Sequence, residues 1–153
     1  MFYAHSGKDN NHKDWQLLAD HCNKVGSITS KNANWFGAQS MAELIGKLHE
    51  LGKYSESYQN RLHGGSRVDH ATAGAKIAME KWYKNNPLAK LMAYCIAGHH
   101  AGLANGIEEG DNRSTLESRL ALEFGRIFPY WTPSGKKKPA CQKSFPRLPF
   151  FLL

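Results

Sequence analysis

The stretch from Leu88 to His100 constrains this chain most. It is apolar on nearly every side, through Leu91, Met92, Ala93, Cys95, Ile96 and Ala97, and then stops at two adjacent imidazoles. A helix without a polar face must be surrounded by other elements, so residues 88–100 predict a central, buried helix. The remaining apolar residues recur at spacings of three and four, as helices that pack around it require. Trp15, Leu18, Cys22 and Val25 mark a first helix of about three turns that Gly26 is expected to stop. Met41, Leu44, Ile45 and Leu48 mark a second over residues 38–51. Residues 54–62 form a short amphipathic piece, and Gly64-Gly65 breaks the chain. Asp69 reads as the N-cap of a helix to about Lys84, and Ser114-x-x-Glu117 as a capping box opening one to about Phe128. No run alternates with period two. The expected fold class is all-α, a compact helical domain over residues 1–128.

Residues 129–153 differ in kind. They hold five of the six prolines, five of the 20 basic residues and no acid, so much of the net charge of +7 sits there. A basic surface favours polyanions, nucleic acid above all, although a solvated basic tail carries the same composition. The segment reads as a linker, a truncated segment or a frameshifted end. No stretch approaches the ~20 apolar residues of a membrane span. Cys22, Cys95 and Cys141 lie far apart, which excludes a disulfide framework and a zinc ribbon. The opening residues lack the apolar core of a secretory signal, so a cytoplasmic location is expected.

Eight histidines are many for 153 residues, and their placement matters more than their number. His21 falls late in the first helix, His49-Glu50 ends the second, His70 opens the fourth, and His99-His100 closes the buried one. Taken singly, each has an ordinary reading. His21 is a core residue, His70 belongs to a cap, and His99-His100 favour the negative end of a helix dipole. Taken together they point elsewhere, because a buried apolar helix should not end in two imidazoles without partners. Imidazole with carboxylate suits divalent ions such as Mn, Fe, Co, Ni or Zn, and helical bundles build such sites from inward side chains. Adjacent helical residues splay by about 100°, so His99 and His100 are expected to serve two ions, or one ion and a substrate. Lys53, four residues after His49, shares its face if the helix continues, and a cation beside a metal suits a phosphate.

Three segments carry a family resemblance: Leu48-His49-Glu50-Leu51-Gly52-Lys53, Asp69-His70-Ala71-Thr72-Ala73-Gly74-Ala75, and Ala97-Gly98-His99-His100-Ala101-Gly102-Leu103. With the opening Tyr3-Ala4-His5-Ser6, and Trp15 followed by His21, they resemble the HD nuclease domain of the CRISPR type I effector helicase-nuclease. The resemblance covers about residues 3–105. It implies an HD-type fold with a metal site between helices and a metal-dependent endonuclease acting on single-stranded DNA in antiviral defence. The implied partners are a helicase domain or subunit, which feeds the strand, and a crRNA-guided surveillance complex. By the same resemblance His21, His49, Glu50, His70, His99 and His100 are metal ligands for one or two divalent ions, Mg included. Glu50 and Lys53 are the implied catalytic residues, with Lys53 on the substrate phosphate. Loops near Gly64-Gly65 and 102–110 are expected to form the strand channel.

Two departures stand out. Glu50 occupies a place where that family has aspartate, one methylene shorter, and no aspartate follows Asp111 to match a later family ligand. Reduced activity or altered metal preference is the consequence expected. The other readings are a nucleotide phosphohydrolase of the wider HD superfamily, and an inactive fragment that binds only metal or nucleic acid.

Overall fold

The computed structural model describes residues 1–9, 11–106 and 115–121. It is mostly helical. Six α-helices follow a short β pair: α1 (Leu18–Asn32), α2 (Gln39–Leu48), α3 (Glu56–Leu62), α4 (Ala71–Trp82), α5 (Leu88–Gly98) and α6 (Leu116–Ala121). Two 3₁₀ turns, Ala33–Phe36 and Leu51–Tyr54, join α1 to α2 and α2 to α3.

The main core is the one the apolar run demands. Met92, Ala93, Ile96 and Ala97 of α5 pack against Leu44 and Leu48 of α2, Ala75 and Ala78 of α4, and Leu116 of α6. Burying each of the larger aliphatic side chains contributes about 1.5–3 kcal/mol. A smaller core joins Ala4, Leu18 and Cys22, flanked by Phe2 and Tyr54, and ties the N-terminus to α1.

Several expectations are corrected. The first helix neither begins at Trp15 nor stops at Gly26 but runs from Leu18 to Asn32, so His21 lies in its first turn and not late in it. The glycine serves close packing instead, since a Cβ on the facing Gly46 of α2 would lie 2.7 Å from its Cα. The all-α reading missed an antiparallel pair, β1 (Tyr3–His5) with β2 (Gln16–Leu17), in which His5 faces Gln16. Strands of two and three residues are too short to show a period. The second helix ends at Leu48 and gives way to the 3₁₀ turn, so Lys53 does not continue its face.

Of the expected caps, Asp69 is met in its chemistry, although His70 is the residue that directly precedes α4. Asp69 accepts from the amides of Ala71 and Thr72 and from the Thr72 hydroxyl, at 2.9, 3.3 and 2.7 Å. Ser55 caps α3 by accepting from the Tyr58 amide. At α6 the Thr115 hydroxyl accepts from the Ser118 amide. The expected cap Ser114, the helix end near Phe128 and the tail 129–153 lie outside the described residues, as do Asp111 and most of the loop after Gly106. No described helix is long and apolar enough to cross a membrane.

Candidate metal centre

The helix ends carry the site. His21 sits in the first turns of α1, His49 directly follows α2, His70 directly precedes α4, and His99 and His100 directly follow α5. Two glycines let these ends meet. A Cβ at Gly74 would lie 2.1 Å from the Leu48 carbonyl oxygen, so α4 packs directly on the end of α2. A Cβ at Gly52 would lie 2.4 Å from the His70 carbonyl oxygen, which keeps Glu50 beside His70.

All six sequence-predicted ligands converge. Glu50, His70, His99 and His100 form one group that can hold a metal ion, and His21, His49 and Glu50 form another. Within each, one ligand atom per residue lies within 4.8 Å of the others. Glu50 belongs to both. Its Oε1 is 3.9 Å from Nε2 of both His99 and His100 and 4.0 Å from that of His49, and its Oε2 is 3.2 Å from Nε2 of His70.

The expected splay of His99 and His100 does not occur. Their ring centroids are 4.0 Å apart and both belong to one group. The α-helix has ended at Gly98. The chain then tightens through bonds from the Ala101 and Gly102 amides to the Gly98 carbonyl, with Gly102 at φ +81°. His99 itself keeps helical dihedrals, φ −62° and ψ −19°, so the rings meet although the backbone there still turns as a helix does.

The rings are held from behind. His49 Nδ1 is 2.7 Å from the Gly46 carbonyl, His99 Nδ1 is 2.6 Å from that of Ile96, and His70 Nδ1 is 3.4 Å from that of Val68. His21 Nδ1 is 3.2 Å from Gln16 Oε1. An oxygen of this kind only accepts, so these Nδ1 atoms carry the proton and the neutral rings present bare Nε2 lone pairs to the cluster. His21 and His49 then face each other Nε2 to Nε2 at 3.3 Å, with no proton to bridge them. His70 Nε2 and His100 Nε2 are 2.9 Å apart; no carbonyl fixes the His100 tautomer, so this separation suits a hydrogen bond from His100 as well as a shared ion. Glu50 Oε2 and His99 Nε2 are buried without a hydrogen-bond partner; the His70 contact to that oxygen is close but not aligned as a bond. The facing lone pairs of His21 and His49 repel unless an electrophile lies between them.

A metal ion fits. Two nitrogens about 2.1 Å from one ion stand about 3.0 Å apart at an octahedral right angle and about 3.4 Å apart at the tetrahedral angle. The observed 2.9 and 3.3 Å match these separations. Backbone carbonyls behind ligating histidines are the usual means of fixing tautomer and ring orientation.

The electrostatics agree. Burial, the largest effect, depresses the pKa values of His49, His70 and His99 below the ordinary histidine value; the carbonyl bonds of Gly46 to His49 and of Ile96 to His99, and the Glu50 charge, only partly oppose it. His21 is depressed by burial and then by the neighbouring His49. For Glu50 burial pushes upward, but the Lys53 hydrogen bond and charge, with His70 and His49, outweigh it and keep the carboxyl below its usual range. Neutral imidazoles around an ionised carboxylate are what a divalent ion binds.

Lys53 is placed differently from its expected role. It is 2% exposed, its Nζ is 2.8 Å from Glu50 Oε1, and it donates to the Ala4 carbonyl at 3.0 Å. The ammonium lies beneath the carboxylate, where it fixes Glu50 in its charged form, and not on the open side where a phosphate would arrive. The site is open at His100, whose side chain is 55% exposed.

Three contributors were missed. His5 lies edge-on to His21, with centroids 5.2 Å apart. Gln16 orients His21. Tyr58 is buried, 4.7 Å from the His70 ring and 5.1 Å from Lys53 Nζ. Only the β pairing brings His5 and Gln16 to the cluster, and that pairing has no sequence period. No family model matches this chain, and no curated protein matches it.

Proposed function

We propose that the cluster is the metal centre of a phosphodiesterase that hydrolyses single-stranded DNA, with an HD-type fold around it. One observation carries this reading: five imidazoles and a buried carboxylate converge, with the bare Nε2 atoms of His21, His49 and His99 turned inward. Nitrogen-rich ligands suit Mn, Fe, Co, Ni or Zn better than Mg, which prefers oxygen. A bound ion of this kind lowers the pKa of a bound water and offsets charge on a scissile phosphate.

The chain's own residues have distinct parts in this reading. His21 and His49 with Glu50, and His70, His99 and His100 with Glu50, hold the ions. Lys53 keeps Glu50 ionised and in place. The exposed edge of His100 marks where a phosphate enters. The sequence resemblance supports a role in CRISPR interference, with a helicase feeding the strand.

The test is cleavage of a labelled single strand with Mn, Co, Ni, Zn or Mg, with and without chelator. Cutting that needs metal and is lost in His49→Ala supports the reading. Activity that survives His49→Ala refutes it. An inactive parent restored by Glu50→Asp identifies the extra methylene as the defect. Hydrolysis of nucleoside triphosphates without strand cleavage favours the nucleotide phosphohydrolase reading.

A further inference from the structure

The solvent side of α1 carries a feature that the metal centre does not explain. The helix has 15 residues, and Asp20 is its one acidic group. At 100° per residue, His21, Lys24, Ile28 and Lys31 fall within about 80° of one another, and the exposed Asp20 lies about 20° beyond Lys31, at the start of the same flank. Lys24, Ile28 and Lys31 are exposed. The following 3₁₀ turn, Ala33–Phe36, ends the line with Trp35 at 93% and Phe36 at 73% exposure. Among the described residues nothing covers this indole or the phenyl ring beside it, and burying either would be favourable.

We infer that this flank of α1 is a binding track for single-stranded nucleic acid, with Lys24 and Lys31 on phosphates and Trp35 stacked on an unpaired base. The track begins at His21, a member of the metal cluster, and runs about 20 Å to Trp35. That length matches about six nucleotides of a stacked strand. An indole takes a base by its face, and a duplex keeps its base faces covered, so an unpaired strand is the form that fits. A lysine–tryptophan surface also suits an anionic membrane. The continuity with the metal cluster favours nucleic acid, because a membrane surface would have no use for it. The inference deepens the proposed function and rests on it only for where cutting occurs.

The test is binding by the full chain, measured in chelator so that no strand is cut. Fluorescence anisotropy would follow labelled oligothymidylates of four, eight and 16 nucleotides across a salt series. The 16-mer is expected to bind, with affinity rising between the four-mer and the eight-mer. Trp35→Ala should weaken binding about five- to a hundredfold, the usual worth of one stacked base. Lys24→Ala with Lys31→Ala should flatten the slope of log affinity against log salt by about 1.4, two single-strand phosphate contacts. These side chains are exposed, so unchanged melting temperatures will confirm that the variants fold. Absence of binding at low salt overturns the inference, as does binding that neither variant alters. Trp35-dependent binding to phosphatidylserine vesicles, with none to the oligomers, overturns it in favour of a membrane surface. A chain that binds the strand in this way but never cuts it leaves the track standing and refutes the proposed function instead.

Discussion

Replacing Lys53 by methionine separates two roles for this residue. Lys53 and Glu50 have side chains 2% and 4% exposed and sit 2.8 Å apart. At an effective dielectric of about 20 their attraction is roughly 6 kcal/mol, set against the cost of desolvating both. Lys53→Met removes the ammonium at nearly constant volume and leaves the Glu50 charge buried without it. Breaking a buried pair from one side costs about 3–5 kcal/mol. With a urea slope of about 2 kcal/mol/M, the unfolding midpoint of the metal-free protein should fall by roughly 2 M. A divalent ion on Glu50 supplies the missing positive charge, so the loss should shrink toward about 1 kcal/mol in the metal-loaded protein, the residue of the unpaired Ala4 carbonyl. The assay is urea unfolding of both proteins with and without metal. A loss below about 1 kcal/mol without metal, or an equal loss in both states, would refute the argument. A lysine that served only a substrate phosphate would leave stability unchanged.

Three further outcomes follow from the same geometry. His21, His49, His70 and His99 have depressed pKa values, so the unfolded chain binds protons first as pH falls; metal-free stability should be full above about pH 6.5–7 and decline below it, as melts from pH 8 to 5 would show. Glu50, also depressed, contributes stability above about pH 4.3 that is lost as pH falls through its lower folded value, extending the decline into acid. Gly74→Ala gains about 1 kcal/mol of helix propensity but sets a Cβ 2.1 Å from the Leu48 carbonyl oxygen, so a net loss of about 1–3 kcal/mol should appear in chemical unfolding. Metal at about 100 times its dissociation constant should stabilise the fold by about 2.7 kcal/mol and raise the melting temperature by roughly 5–10 °C, an effect that His99→Ala should reduce.

The parts of this molecule legible in the sequence are those with long-range pattern or strong local chemistry. The apolar run before His99 identifies the central helix because nothing but burial explains it. Asp69 reads as a cap because a short acceptor next to free amides has few other uses. The cluster is legible because imidazoles at helix ends need partners. What escaped depends on tertiary contact. Gly26 reads as a stop until Gly46 is seen packed against it. The β pair is too short to have a period, so His5 and Gln16 went unplaced beside His21. Lys53 reads as a surface cation until the 3₁₀ turn carries it under Glu50. His99 and His100 meet through the turn of their side chains, which a backbone step alone does not reveal.

The central claim is that the histidine cluster binds divalent metal, and metal content tests it most directly. The protein would be stripped with chelator, reloaded separately with Mn, Co, Ni or Zn, passed through gel filtration, and analysed for bound ion beside His49→Ala and His99→Ala. The account predicts one or two equivalents per chain for at least one of these ions, reduced in both variants. Retention of none of the four ions, or retention unaffected by either substitution, would contradict it.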